Sequence, residues 1–217
     1  MATTDTTQLQ SVDIVGRRVN KVSFSVDSFR ARLGNIVRPN LFSVEFLSLP
    51  SVIIDSPPSG MGYKLTDTSI QDLEFRCERA ELPGKTIATT DEVSVGPTLK
   101  LPYETTFSDI QLTFICAEDM HERRFFESWM DEIVALPGGH GLGGLVKYYE
   151  EFASGSLMKV TQAKSDGTSI LEYVLYDAFP IALSPMTLAW EETNTYQRFT
   201  VTMSYRYHVM TYPAPAY

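Results

Sequence analysis

His121-Glu122 opens like the helical zinc motif in which two histidines four residues apart grip the metal and the intervening glutamate takes a proton from bound water. That chemistry needs a second imidazole at position 125, which is Phe125. Without it, the pair reads as a solvated helix face. Residues 137–144, PGGHGLGG, resemble a glycine-rich phosphate cradle. Such a cradle lies between a strand and a helix N-terminus, where free amides and the helix dipole meet the anion. Here a helical pattern precedes the glycines, so a flexible connection is the expectation. His121, His140 and His208 fall in a helix, a loop and a strand, without ligand spacing. Cys77 and Cys116 form no CxxC pair. Each reads as a small core hydrophobe in a reducing compartment, with one bridge the alternative in an oxidising compartment. There is no GxSxG elbow, and no carboxylate pair is singled out by a neighbouring base or aromatic pocket. No catalytic residue, cofactor ligand or metal ligand is therefore assigned, and the chain is expected not to be an enzyme.

The elements are predominantly strands. YQRFTVTMSYRYHV puts Phe199, Val201, Met203, Tyr205, Tyr207 and Val209 on one face and Arg198, Thr200, Thr202, Ser204, Arg206 and His208 on the other. Strict alternation over this length predicts one long half-buried strand. Similar alternation marks LEFRCERA through Leu73, Phe75 and Cys77, and IQLTFIC through Ile110, Leu112, Phe114 and Cys116. SLMKVTQA and SILEYVLY flank Ser165-Asp166-Gly167-Thr168, a strong hairpin cue. Segments 40–48 and 92–101 complete the strand inventory.

One amphipathic helix is predicted over 118–135, where Phe125, Trp129 and Ile133 recur four residues apart beside Phe126, Met130 and Val134. Glu118 and Asp119 suit its N-terminal turn, and Pro137-Gly138-Gly139 stops it. Shorter helices are predicted at 27–35 and near 144–153. Residues 50–72 read as a long insertion rich in proline, glycine and serine. Mostly antiparallel strands with one such helix cannot form a doubly wound sheet. The expected fold is mainly β: two packed antiparallel sheets forming a barrel-like sandwich with the helix at 118–135 against its flank. The expected organisation is an N-terminal arm with a short helix over 1–37, then a β domain over 38–217.

The prolines of DAFPIALSPMTLAW, residues 177–190, fit strand ends and edges, where no ladder donor is needed. Pro180 and Pro185 are expected to end one strand and turn the chain toward the next, with Phe179 packing inward and Trp190 buried at the corner.

The chain has 217 residues with 43% apolar content and a formal charge of −9. Such a length holds a sizeable core without disulfide or metal. The acidic balance argues against sequence-specific nucleic-acid binding, which neutralises phosphates with a basic face. The charge is uneven: within residues 1–40, six cations (Arg17, Arg18, Lys21, Arg30, Arg32, Arg38) face three carboxylates (Asp5, Asp13, Asp27). A basic arm of this kind could dock on the acidic body of an identical neighbour. The first residues, MATTDTTQLQ, lack the basic and apolar regions of a signal peptide, and no apolar run approaches a membrane span. A soluble protein made in a cytoplasm, with no membrane partner, is expected.

Several segments, taken in order, resemble the tail tube proteins of contractile-tailed, myovirus-type bacteriophages. Arg38-Pro39-Asn40-Leu41-Phe42 with the following SVEF resembles the family's entry into its first strand. Phe75-Arg76-Cys77 through Leu82-Pro83-Gly84 resembles its next strand and turn, and Thr106-Phe107-Ser108-Asp109 the introduction to another. Asp119 through Trp129 is similar to the family helix, with Phe125 and Trp129 inward. Phe179-Pro180 through Leu188-Ala189-Trp190, with the strand after it, resembles the C-terminal signature. The resemblance spans about residues 27–209; the extra N-terminal residues and the 50–72 insertion depart from it.

The resemblance implies a fold shared with the type VI secretion tube protein, and a structural virion protein whose homohexameric rings stack into the tail tube that conducts DNA during ejection. Its implied partners are further copies of itself, the tail sheath protein, the tape-measure protein and baseplate tube proteins. DNA would pass through the lumen without specific binding, and assembly would take place in the host cytoplasm. A baseplate tube initiator of the same fold is the alternative role. A soluble β-sandwich enzyme or carbohydrate-binding module is the alternative class.

Overall fold

Alternating apolar residues organise the largest share of the described residues into antiparallel strands. The computed structural model describes Val26, Ile53 and residues 36–50, 67–92, 96–134, 146–191 and 195–212. The chain divides into two units, Met1–Arg38 and Pro39–Tyr217. The elements described in full lie in the second: β1 (Phe42–Ser48), α1 (Asp67–Phe75), β2 (Cys77–Ala80), β3 (Lys85–Glu92), β4 (Leu99–Phe107), β5 (Ile110–Ile115), α2 (His121–Ile133), α3 (Tyr149–Phe152), β6 (Leu157–Ala163), β7 (Ser169–Tyr176), β8 (Phe179–Leu183), β9 (Arg198–Ser204) and β10 (Tyr207–Thr211). The expected helix at 27–35 lies outside the described residues, as does most of the 50–72 insertion.

Two four-stranded antiparallel sheets, ordered β1-β6-β7-β10 and β2-β5-β9-β8, face each other, and β3-β4 forms a separate hairpin. The fold is mainly β as expected, but the two sheets do not close into a barrel. Val44, Phe46, Met158, Val160 and Leu175 from the first sheet meet Ile110, Leu112, Phe114, Phe199, Val201 and Met203 from the second in one core. Helix α2 contributes Phe125, Phe126 and Trp129 to that core. The Phe126 ring lies 6.3 Å from Phe46 in one sheet and 5.1 Å from Phe114 in the other. The helix is thus held by aromatic wedging between the sheets, each buried ring being worth roughly 1.5–3 kcal/mol of transfer free energy.

The Asp-Gly hairpin forms as its sequence requires. Gly167 adopts φ +83°, in the left-handed region, and the Asp166 carboxylate accepts the Thr168 N–H at 2.9 Å. It joins β6 to β7 in register from Leu157↔Tyr176 to Ala163↔Ser169.

Four expectations are corrected, besides the strand expected at 92–101, which is the connection from the end of β3 to the start of β4. The long strand over 198–209 is two strands, β9 and β10, in different sheets. The chain turns at Tyr205-Arg206, where the Arg206 N–H reaches the Tyr176 carbonyl at 3.0 Å. One residue of offset there reverses the faces: Tyr205 ends the inward row, while Tyr207 and Val209 become exposed and His208 lies opposite the buried Leu175. Second, LEFRCERA is not one strand, because α1 extends through an exposed Phe75 and only Cys77–Ala80 is extended. Leu73 lies on the buried side of α1. Third, Trp190 is fully exposed, although Phe179 packs inward against Phe152 at 5.2 Å. Fourth, Pro180 stands within β8, opposite Met203 and beside a register shift, on the sheet's outer strand, where proline is tolerated. Asp177, at φ 55°, makes the turn that ends β7.

Candidate functional site

Helix α2 begins at His121 after Met120, itself in the left-handed region at φ 55°. Glu122 in its first turn is fully buried, which overturns the expectation of a solvated face. Its carboxylate takes a charged hydrogen bond from Arg76, at the α1–β2 junction, and accepts the Ala117 N–H at 3.1 Å. His121 Nδ1 lies 3.0 Å from Asp119 and 3.4 Å from the Arg76 guanidinium. Proximity to Glu122 raises the Arg76 pKa, and the His121 contact lowers that of Asp119. Asp119, His121 and Glu122 bring three ligand atoms within 4.8 Å of one another. Their cation is already there: Arg76 occupies the negative side of the cluster, where a metal ion would meet like charge. The arrangement ties the β2 entry, the β5–α2 connection and the helix start together.

The other chemistry weighed from the sequence stays dispersed. His140 and the glycine run lie outside the described residues. On either side of them Val134 and Val146 form a bridge and Lys147 pairs with Glu132, so the stretch follows a helix C-terminus. Cys77 and Cys116 are free thiols. Burial pushes the Cys77 thiol up to about 12 and raises that of Cys116, so neither is tuned as a nucleophile. The crevice between Phe46, Trp129, Met158 and Met203 has no room even for a water molecule, so it is not a ligand pocket.

What the described surface offers is apolar area and unpaired strand edge. The β3–β4 hairpin pairs eight residues a side from Lys85↔Phe107 to Glu92↔Leu99, joins neither sheet, and exposes Ile87, Leu99, Leu101 and Tyr103. A two-stranded ribbon of this kind is marginal in water without something to pack on. At its root Gly84 approaches Ser108 so closely that a Cβ would come within 2.4 Å of the hydroxyl.

Strand β10 is the outer strand of its sheet and exposes Tyr207, Val209 and Met210. Tyr207 stacks on Tyr176 at 4.6 Å, and Leu157 pairs with Tyr176 in the next rung, so an apolar band crosses the outward side of this sheet. The other outer strand, β1, is partly covered: α1 packs beside it and Glu74 accepts the Phe46 N–H. Leu188 and Trp190 add a further exposed apolar corner. None of this was assigned from the sequence, because alternation alone does not say which side of a strand meets the core.

The outward sides of both sheets carry a few charges of both signs. On β2, β5 and β9 they present Arg79, Gln111, Thr113, Arg198, Thr200 and Thr202, with the Thr113 and Thr200 hydroxyls 3.1 Å apart and Arg198 3.5 Å from Glu78. On β1, β6 and β7 they present Glu45 and Glu172, with Lys159 paired to Glu45 at 2.7 Å.

No curated protein matches the chain. Among solved structures, a chain of the anti-feeding prophage baseplate matches with a TM-score of 0.52 at 11% identity, covering 82% of this chain and 97% of that one. A chain from the sheath/tube terminator of an extracellular contractile injection system, in the extended state, gives 0.53 at 13% identity over 82% and 99%. One from the sheath–tube complex of such a system gives 0.52 at 13% identity over 88% and 100%. At these identities the likeness is one of fold. The sequence model of the phage tail tube protein family matches residues 37–211, from the entry into β1 to the end of β10, and the chain accordingly belongs to that family.

Proposed function

We propose that this chain is a structural subunit of a tail tube, without turnover, whose copies close into rings of six that stack into a hollow conduit for DNA. The observation that carries the reading is the β3–β4 hairpin: a long ribbon with four exposed large apolar residues and no pairing to its own sheets is a surface for another chain. The apolar band along β7 and β10 supplies a second surface, and identical subunits in a closed ring satisfy both without open-ended growth. The outward sides, where basic residues are interspersed with carboxylates, suit a wall that DNA must slide past, since easy passage needs the absence of a continuous basic face. In this role the chain would stand within the virion tail, against sheath, tape-measure and baseplate tube proteins. A baseplate-proximal initiator is the second reading, favoured by the fold likeness to a chain of a baseplate assembly.

Negative-stain microscopy and sedimentation of the purified protein test this directly. Rings or tubes are expected, and they should disappear in a Leu101→Asp/Tyr103→Asp variant whose circular dichroism and melting match the parent. A parent that stays a 24.4 kDa monomer at high concentration would sink the proposal.

A further inference from the structure

His208 stands inside the sandwich side of β10, against the root of the hairpin. Its ring centroid lies 4.9 Å from Phe107, 5.3 Å from Tyr173 and 5.9 Å from Tyr205. Its Nδ1 is shielded from solvent and has no hydrogen-bond partner among the described residues. Phe107 is the last residue of β4 and pairs with Lys85, the first of β3, whose ammonium lies 5.9 Å from the Phe107 ring centroid. Tyr205 binds the same root from the other side, donating its hydroxyl to the Ser108 carbonyl at 2.9 Å, and the Ser108 N–H reaches Gly84. The hairpin is therefore joined to the body through an aromatic cage around one imidazole.

We propose that His208 is an acid-sensitive latch: neutral, it holds the Phe107–Lys85 root of the β3–β4 hairpin in place, and protonated, it releases that root.

The charged and titratable groups facing the imidazole are few. Lys85 on β3 brings like charge toward protonated His208, while Tyr173 on β7 and Tyr205 at the corner present their rings to it. Asp109, after β4, is exposed and acts on the Tyr205 hydroxyl. Loss of solvent, and then Lys85, hold the His208 pKa below its ordinary value of 6.5. A released root would return the ring to water and its ordinary value. The released form then binds protons more readily, and lowering the pH through 6.5 shifts the equilibrium toward it; raising the pH restores the docked form. The latch concerns one chain, and because the hairpin is also the proposed inter-chain surface, sedimentation at both pH values separates release of the root from loss of rings.

The test is hydrogen–deuterium exchange by mass spectrometry on the full chain at pH 7.5 and 5.5, with labelling times scaled for the intrinsic rate. Peptides covering 85–107 are compared with β5 and β9 peptides as internal reference. The parent is expected to lose protection over 85–107 at the lower pH while β5 and β9 hold. His208→Phe, which keeps the cage apolar, is expected to show no such loss, and Lys85→Met a smaller one than the parent. Should His208→Phe disturb the fold, Lys85→Met carries the comparison alone. Equal hairpin protection in the parent at both pH values, or the parent's loss reproduced in full by both variants, overturns the latch.

Discussion

Replacing Arg76 with methionine isolates the energetics of the one fully buried carboxylate described in this fold. Glu122 has no exposed surface, and its carboxylate is held by Arg76 and by the Ala117 N–H. Methionine retains an apolar stem but leaves the charge inside with only the amide and His121 nearby. Breaking a buried pair from one side costs ~3–5 kcal/mol. The Arg76 side chain is 33% exposed, so water already screens the pair and the lower end of that range applies, about 3 kcal/mol. For a chain of this size each kcal/mol moves Tm by about 2–4 °C, so a fall of ~6–12 °C is expected. Glu122→Leu should cost less, about 1–2 kcal/mol, because the orphaned guanidinium can turn to solvent. The double variant, with both charges gone, should be more stable than Arg76→Met alone. Urea unfolding of dilute protein, read by the fluorescence of the buried Trp129 on the same helix, gives all three values. An Arg76→Met variant within about 1 kcal/mol of the parent, or a double variant whose loss equals the sum of the singles, would refute the assignment of a coupled buried pair.

Two further outcomes follow from local geometry. With its thiol pushed up to about 12 from an ordinary 9.0, Cys77 should resist iodoacetamide at pH 8 until urea is added. The folded state keeps a proton there that the unfolded state gives up, so this contribution is intact below pH 9 and is lost as pH rises toward 12; rapid native labelling in peptide mass spectra would contradict both statements. At Gly167, with φ +83° and open space where a Cβ would go, alanine should cost ~1–2 kcal/mol through backbone strain alone and asparagine less. Equal urea midpoints for Gly167→Ala and the parent would show that the turn relaxes.

The parts of the fold legible in the sequence are those whose pattern has one physical meaning. Phe125, Phe126 and Trp129 lie on the buried side of α2 because a 3.6-residue period leaves one stripe to bury. The β6–β7 hairpin follows from Asp166-Gly167, since few dipeptides favour that turn so strongly. Legibility failed where a pattern has two meanings. The alternation from Phe199 to Val209 is continuous in sequence but crosses from one sheet to the other at Arg206, where a single-residue offset turns the apolar side outward. Glu122 looked solvated because its counter-ion is 46 positions away, at the junction of α1 and β2. The exposed Trp190 was misplaced by treating its size as a reason for burial; size only fixes how much is gained if something covers it.

The exposed apolar residues have a common character. Tyr207, Val209, Trp190 and the hairpin's Ile87, Leu101 and Tyr103 are apolar at positions where an isolated chain gains nothing from them. Single exposed hydrophobes are ordinary, but grouping on a free strand, a loop corner and an unpacked ribbon is not. Burying even one such side chain is worth roughly 1.5–3 kcal/mol, and several at once reach the scale of protein association. A sequence read as though all its apolar content served one core will therefore assign too many residues inward. In a protein whose proposed task is to be a wall, the surplus belongs to the joints between copies, and the error in burial becomes the signal for assembly.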